Sequence, residues 1–220
     1  MKKLIQKIIH PFYKKYHFWY HNKPRKYVFK DVYTIIQPGV FSPKNTVSTK
    51  VFLDYILGLD LSQKRVLELG CGSGIISLLA AHKGSIVTAS EINKTALASL
   101  QKVSEKQGLE IQTIFSNLFE NLQKSEFEYI FINPPYYPKQ PKDVSESAWF
   151  CGENFEYFDN LFDQLKGLNT KKTAVLMILS NACELEMIQK IARKNGFELM
   201  LKHEVKLTFE VNAIYELKAL

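Results

Sequence analysis

From Lys64 to the C-terminus, short apolar runs alternate with stretches whose apolar residues recur at helical spacing. The runs Arg65–Leu69, Ile86–Ser90, Ile111–Phe115, Tyr129–Ile132, Ala174–Leu179 and roughly Glu198–Val205 have the length and residue types of strands. A seventh strand near Ala213–Glu216 pairs most simply with its neighbour as a hairpin. The stretches between them predict helices over Ile75–His82, Lys94–Lys106, Phe155–Leu165 and Glu184–Lys194, the last stopped by Gly196. Upstream, residues 46–57 place Val47, Val51, Phe52, Tyr55 and Ile56 on one helical face, and Tyr27–Phe29 and Tyr33–Ile36 read as extended. Leu4, Ile5, Ile8, Ile9, Phe12, Tyr13 and Tyr16 recur at helical spacing, and Pro11 breaks or kinks that helix. Alternation of this kind predicts an α/β fold: a seven-stranded, mostly parallel sheet with helices on both faces. A short basic helical extension precedes it. The expected division is residues 1–32 as extension and 33–220 as the folded domain.

Composition changes this picture mainly at the N-terminus. The 220 residues are 46% hydrophobic and 23% charged, as in an ordinary globular chain long enough for a full core. Nine of the 29 basic residues fall within residues 1–30, which hold no acidic ones. That leaves 20 basic against 22 acidic residues, a net of −2, for the remainder, although the whole chain is +7. The basicity is therefore local and bears on partners rather than on fold. Three dispersed cysteines (Cys71, Cys151, Cys183) argue against a disulfide framework and against a zinc site. No apolar run reaches the ~18 residues of a membrane span, and the N-terminus lacks the apolar core of a signal peptide. The expected location is cytoplasmic, and no metal is expected.

The chemistry begins at "VLELGCGSGIISLLAA", Val66–Ala81: a strand, a glycine-rich turn and a helix. Gly70, Gly72 and Gly74 let the backbone turn sharply and let a ligand approach. The next strand ends in Glu91, 17 residues after Gly74, where a carboxylate can accept the hydroxyls of a ribose. Alone, Glu91 reads better as an exposed strand-end charge; with the glycine turn it points to a nucleoside cofactor. Glu68 beside that turn would repel a pyrophosphate and suits a cationic amine, as in S-adenosylmethionine (SAM).

"LELGCGSG", "ASEIN" and "NPPY", in this order, resemble the class I SAM-dependent methyltransferases that methylate amino groups. "PGVFSPKNTVST" (Pro38–Thr49) resembles the lead-in of the small-domain group, which includes release-factor glutamine and ribosomal RNA guanine methyltransferases. "FSNLFENL" and "AWFCGENFEYFDNLF" resemble later segments of the same group, so the likeness covers roughly residues 33–220. It implies a Rossmann-like fold and SAM as cofactor, with S-adenosylhomocysteine as product. Carried onto this chain, Glu68 and the turn Gly70, Cys71, Gly72, Ser73 and Gly74 would hold the methionine half. Glu91 and Ile92 would meet the ribose, and Asn117 and Leu118 would flank the adenine. Relatives usually have aspartate where Asn117 stands; its amide oxygen still accepts a hydrogen bond, without the charge.

"NPPY" (Asn133, Pro134, Pro135, Tyr136) ends the apolar run Tyr129–Ile132. On its own it reads equally as a strand-ending turn. Behind a glycine turn and an acidic strand end it reads as a clamp for a planar –NH₂. Such a nitrogen is a poor nucleophile because its lone pair is delocalised. The Asn133 side-chain carbonyl and the Pro134 backbone carbonyl can accept its two N–H groups, aiming it and stabilising developing positive charge. The prolines stiffen the loop and hold Asn133 extended, and Tyr136 offers a stacking face. No general base is evident, since Asp143 and Glu146 read as solvated loop residues. His82 and His203 read as bland, Cys71 as a small residue that fits, and Trp149 and Phe150 as substrate mouth or packing.

Three acceptors share a planar –NH₂: a protein glutamine, adenine and guanine. The tyrosine of "NPPY" and the segment Leu176–Lys218 resemble the release-factor branch most, which favours a protein glutamine. RNA or DNA is the alternative partner. A small-molecule acceptor or a SAM-binding module without activity is the third. Bacterial release-factor enzymes carry a longer N-terminal recognition domain than this chain has room for. The basic, aromatic N-terminus is expected to dock on the catalytic domain, with an RNA grip second and an anionic surface third.

Overall fold

The computed structural model describes residues 23–122, 127–207 and 210–220; the helix expected near the N-terminus lies outside them. Strands β1 (Arg25–Phe29) and β2 (Val32–Ile36) form an antiparallel hairpin of their own. Helix α1 (Val47–Leu57) follows a single 3-10 turn, Pro43–Asn45. Then come β3 (Arg65–Leu69), α2 (Ile75–His82), β4 (Ile86–Glu91), α3 (Lys94–Lys106), β5 (Ile111–Phe115) and β6 (Tyr129–Ile132). The chain continues with α4 (Glu156–Leu165), β7 (Ala174–Ser180), α5 (Leu185–Lys194), β8 (Phe197–Lys206) and β9 (Val211–Ala219).

The sheet order is β5-β4-β3-β6-β7-β9-β8. Five strands run parallel; β9 is antiparallel to β7 and forms the expected hairpin with β8. Because side chains alternate across a strand, adjacent strand residues feed two separate cores. Val66, Phe131, Leu176 and Ile178 face the core that includes residues of α1, α2 and α3. Leu67, Ile130, Ile132, Val175 and Met177 face the core that includes residues of α4 and α5. This two-sided burial is why the central strands read as continuous apolar runs rather than alternating ones.

Local chemistry sets the helix starts. Asn93 caps α3, its side chain accepting from the N–H groups of Thr95 and Ala96. The predicted start of α4 at Phe155 shifts by one residue, because Phe155 sits at φ +61 as the cap, outside the helix. The β1–β2 hairpin is tied to α3 through Gln107, which accepts from Tyr33 N–H and donates to Tyr33 C=O. At the far edge the β8–β9 register slips between Leu201 and His203.

Gly74 caps α2 at φ +71, and a Cβ there would lie 2.5 Å from a methyl of Leu100. Gly74→Ala is therefore expected to lose about 1–2 kcal/mol from the left-handed backbone alone. For a chain of this size that lowers Tm by several degrees, at ~2–4 °C per kcal/mol, readable by calorimetry. An unchanged Tm would show that the turn tolerates a side chain.

Candidate active site

The C-terminal ends of four adjacent strands deliver the site. In sheet order they bring Asn117 after β5, Glu91 on β4, the glycine turn after β3 and Asn133 after β6. Strand order reverses between the parallel neighbours β3 and β6, the point at which an open α/β sheet leaves a crevice. Here a cavity of about 470 Å³ opens, lined by Glu68, Gly70, Cys71, Gly72, Ser73, Glu91, Ile92, Asn117, Leu118 and all of Asn133–Tyr136. Of the residues expected at the cofactor, only Gly74 is off the cavity wall; it packs under the turn against Leu100 instead. Gly70 is the opposite case, at φ +71 with nothing within 4 Å of the Cβ it lacks. Its backbone is thus open to a close ligand.

Glu68 is a carboxylate built into a core strand, 5% exposed. Oε2 accepts from the Ser77 N–H (2.7 Å) and from the Ser77 hydroxyl. Burial pushes its pKa up to about 8 from the ordinary 4.5; the Ser77 hydrogen bonds oppose that rise and the charge of Glu91 adds to it. A buried carboxylate on a cavity wall is stabilised in its charged form by a cation in the cavity.

Glu91 is more committed than a strand-end charge. Oε2 accepts from Gly72 N–H (2.8 Å), and Oε1 from Ile92 N–H (2.7 Å) and Asn93 N–H (3.0 Å). The carboxylate thus ties the glycine turn to the start of α3. With about four acceptor sites per carboxylate, capacity for a hydroxyl remains. Asn117 donates from Nδ2 to Glu120 Oε1 (2.9 Å), which leaves its Oδ1 to accept. Leu118 holds φ +49, its carbonyl receiving the Ser116 hydroxyl at 2.8 Å.

At the other lip, Asn133 donates from Nδ2 to Thr49 Oγ1 (3.2 Å) on α1. Tyr136 is half-buried with its ring 4.8 Å from that of Tyr137, and its hydroxyl accepts from Ser180 Oγ at 3.2 Å. Burial pushes its phenol up to about 12, so it stays neutral. The following loop doubles back over the cavity: Tyr137 N–H donates to Trp149 C=O, and Cys151 N–H to Tyr137 C=O. Trp149 and Phe150 both line the cavity, and the Trp149 ring packs at 4.9 Å, tilted by 54°, against Phe41 of the lead-in segment. Tyr157 also reaches the cavity wall.

The remaining residues fall as the sequence suggests. The Asp143 carboxylate is spent on the turn it starts, accepting from Ser145 and from Glu146 N–H. His82 ends α2 and His203 lies against Tyr55 at 5.5 Å. Burial holds the Cys71 thiol well above its ordinary range, unlike a nucleophile. Sequence reasoning missed the side chains that brace the site: Ser77 under Glu68, Thr49 beside Asn133, and Thr34, whose hydroxyl donates to the Ser73 carbonyl. Pro38–Thr49 was the one signal for Thr49, and it carried no role. Among the described residues no cluster of three or more His, Cys, Asp or Glu is arranged for a metal. No helix there is long and apolar enough to cross a membrane.

The sequence profile described as the methyltransferase small domain matches residues 31–149. A proposed protein N5-glutamine methyltransferase of Methanocaldococcus jannaschii is 31% identical over 160 residues, 69% of this chain and 80% of that protein. The ribosomal RNA small subunit methyltransferase C of Pasteurella multocida is 36% identical over 104 residues, 46% of this chain and 30% of that protein. The chain spans about a quarter (26%) of a bifunctional methyltransferase of Rickettsia bellii to which it is 31% identical. Among solved structures, the E. cuniculi complex responsible for methylating the termination factor eRF1 superposes with a TM-score of 0.63 at 18% identity, covering 83% of this chain and 99% of that one. A T. thermophilus 16S rRNA N2 methyltransferase in complex with AdoMet and guanosine gives 0.59 at 18% identity, covering 88% and 50%. At such identities the superpositions speak for the Rossmann-like fold. The profile match and the archaeal relative go further: the chain belongs to the methyltransferase small-domain family and is a SAM-dependent methyltransferase.

Proposed function

We propose that this chain methylates the planar –NH₂ of a protein glutamine side chain. The observation that carries the reading is the placement of Asn133 and Pro134 at the end of β6, on the cavity wall across from the glycine turn. The bound cofactor supplies a methyl already activated on a sulfonium. What the protein has to add is aim and charge stabilisation. Asn133 Oδ1 and the Pro134 carbonyl accept the two N–H groups of the acceptor, which fixes the nitrogen and offsets its developing positive charge. Pro135 stiffens the loop, and Tyr136, pinned by Ser180, walls the acceptor site. The likeness to the archaeal relative and to the eRF1-methylating complex supports a protein acceptor.

The cofactor half of the reading rests on the cradle. Open space at Gly70 fits a close ligand, and the buried Glu68 carboxylate suits a cationic amine. Glu91 takes the ribose hydroxyls, with Ile92 beside it on the cavity wall, and Asn117 and Leu118 border the adenine. The boundary expected after residue 32 falls inside the β1–β2 hairpin, whose Phe29 and Val32 are buried in a core of the catalytic domain.

A second acceptor, the exocyclic amine of a nucleobase, is favoured by the ribosomal RNA relative. The same clamp would serve it. Methyl transfer from tritiated SAM into an extract of cells lacking this protein, divided by protease and nuclease, separates the two. Label released by protease supports glutamine. Label released by nuclease moves the assignment to nucleic acid.

Two predictions address the site itself. Asn133→Ala is expected to cut turnover by ~100-fold or more, the scale of losing one preorganised acceptor or donor, with SAM affinity within a few-fold. Wild-type turnover in that variant would refute the clamp. For Glu68 the sign follows from the raised pKa: the unliganded carboxyl is protonated below about pH 8. Binding a cation ionises it and releases a proton. SAM affinity is thus expected to climb with pH toward about 8 and then level off, while Glu68→Gln binds weakly with a flatter profile. Calorimetric titrations in buffers of different ionisation enthalpy measure the released proton directly. Equal pH profiles for both proteins would remove Glu68 from the cofactor site.

A further inference from the structure

Thr49 sits in the first turn of α1, 3% exposed, with Oγ1 3.2 Å from Asn133 Nδ2 and 3.1 Å from Thr46 Oγ1. Both threonines line the cavity. An asparagine amide has an accepting side and a donating side, and a half-turn exchanges them. For an acceptor –NH₂ the two orientations are opposite in effect. Oδ1 turned to the cavity accepts its hydrogens, whereas Nδ2 turned there sets donor against donor. The terminal torsion of asparagine is broad and roughly two-fold, so it does not choose between them. The choice has to come from a neighbour.

Thr49 can make that choice if its own hydrogen is spent elsewhere. Thr46 is placed to take it. Thr46 is the N-cap of α1 in extended geometry, the position at which a threonine hydroxyl ordinarily accepts from the first helical N–H groups. It makes no such bond. Its hydroxyl meets Thr49 instead. With Thr49 donating to Thr46, Thr49 Oγ1 is left as an acceptor, and only the Nδ2 side of Asn133 satisfies it. Helix α1 gives the pair a rigid base, since Phe52, Leu53 and Ile56 on it are fully buried.

We propose that Thr46 and Thr49 form a positioning relay that holds the Asn133 amide with its carbonyl toward the acceptor nitrogen. The lead-in segment Pro38–Thr49 thereby makes the site selective for an –NH₂ and against an acceptor that presents only oxygen lone pairs. The inference rests on the –NH₂ reading and not on glutamine in particular. Thr49 and Thr46 touch neither reacting atom; they act through Asn133.

The test compares Thr49→Val, which keeps the shape and removes the hydroxyl, with Thr49→Ser, which restores it, and with Thr46→Val. Single-turnover transfer from tritiated SAM is measured into whichever extract fraction the wild type labels. Thr49→Val is expected to slow transfer at least tenfold, with acceptor KM and cofactor Kd within about threefold. Thr49→Ser should stay within about threefold of wild type, and Thr46→Val should fall between. Full-rate Thr49→Val, or a Thr49→Ser as slow as Thr49→Val, overturns the relay. A readout needing no acceptor keeps this separate from the wider reading: the Asn133 side-chain amide protons in ¹⁵N-labelled protein with S-adenosylhomocysteine, assigned through Asn133→Asp. Protected signals are expected in wild type and Thr49→Ser, and exchange-broadened ones in Thr49→Val. If no fraction takes label from the wild type, the acceptor reading fails. Unchanged Asn133 signals in Thr49→Val would then overturn the relay on their own.

Discussion

The site depends on one pairing, β3 lying parallel beside β6, with Leu69 opposite Ile132. From β3 the sheet grows outward through β4 and β5; the chain then returns to add β6 and β7 on the other side. Helix α2, leaving β3, contributes to one core, and α4, following β6, contributes to the other. The two loops therefore diverge, and the cavity is the gap they leave. One lip carries glycines and carboxylates, the other a polar amide between stiffened turns. Had β6 joined the sheet at its outer edge beside β5, Asn133 would stand several strands from the glycine turn, and neither lip would face the other.

Two carboxylates on the cofactor lip are held in opposite ways. Glu68 lies in the core, with Ser77 as its partner and a proton favoured at neutral pH. Glu91 receives three backbone N–H groups and so acts as a fixed bracket for the turn. A polar group buried in a central strand is unfavourable unless it is hydrogen-bonded. The helix that follows provides that bond from its own first turn, at Ser77.

The strands and helices of the catalytic domain were legible because both faces of the sheet are covered. Continuous apolar runs and helical stripes are what such a sheet demands. β4 and β7 each run one residue further than the apolar pattern, through Glu91 and Ser180, because their ladders still find partners in Phe115 and Asn212. That Glu68, Glu91 and Asn133 stand at neighbouring strand ends was legible from the runs and their spacing. The hydroxyls that orient them were not. Thr49 reaches Asn133 across 84 positions, and Thr34 reaches Ser73 across 39. Periodicity says which face of a helix is buried, but not which buried hydroxyl meets which amide. The loop that folds Tyr137 against Phe150 was equally hidden, since two backbone bonds, not side-chain pattern, close it.

The register slip on β8 has a consequence away from catalysis. β8 is the outermost strand on its side, ten residues long, and Met200 and Leu201 on it are about half exposed. A straight strand of that kind is a template for another chain to pair with, the first step toward aggregation. The irregularity between Leu201 and His203 bends the edge midway, and Lys202, Glu204 and Lys206 line the stretch beyond it with charge. An incoming strand would find its ladder out of step and charges to desolvate, which disfavours pairing at this edge of the sheet.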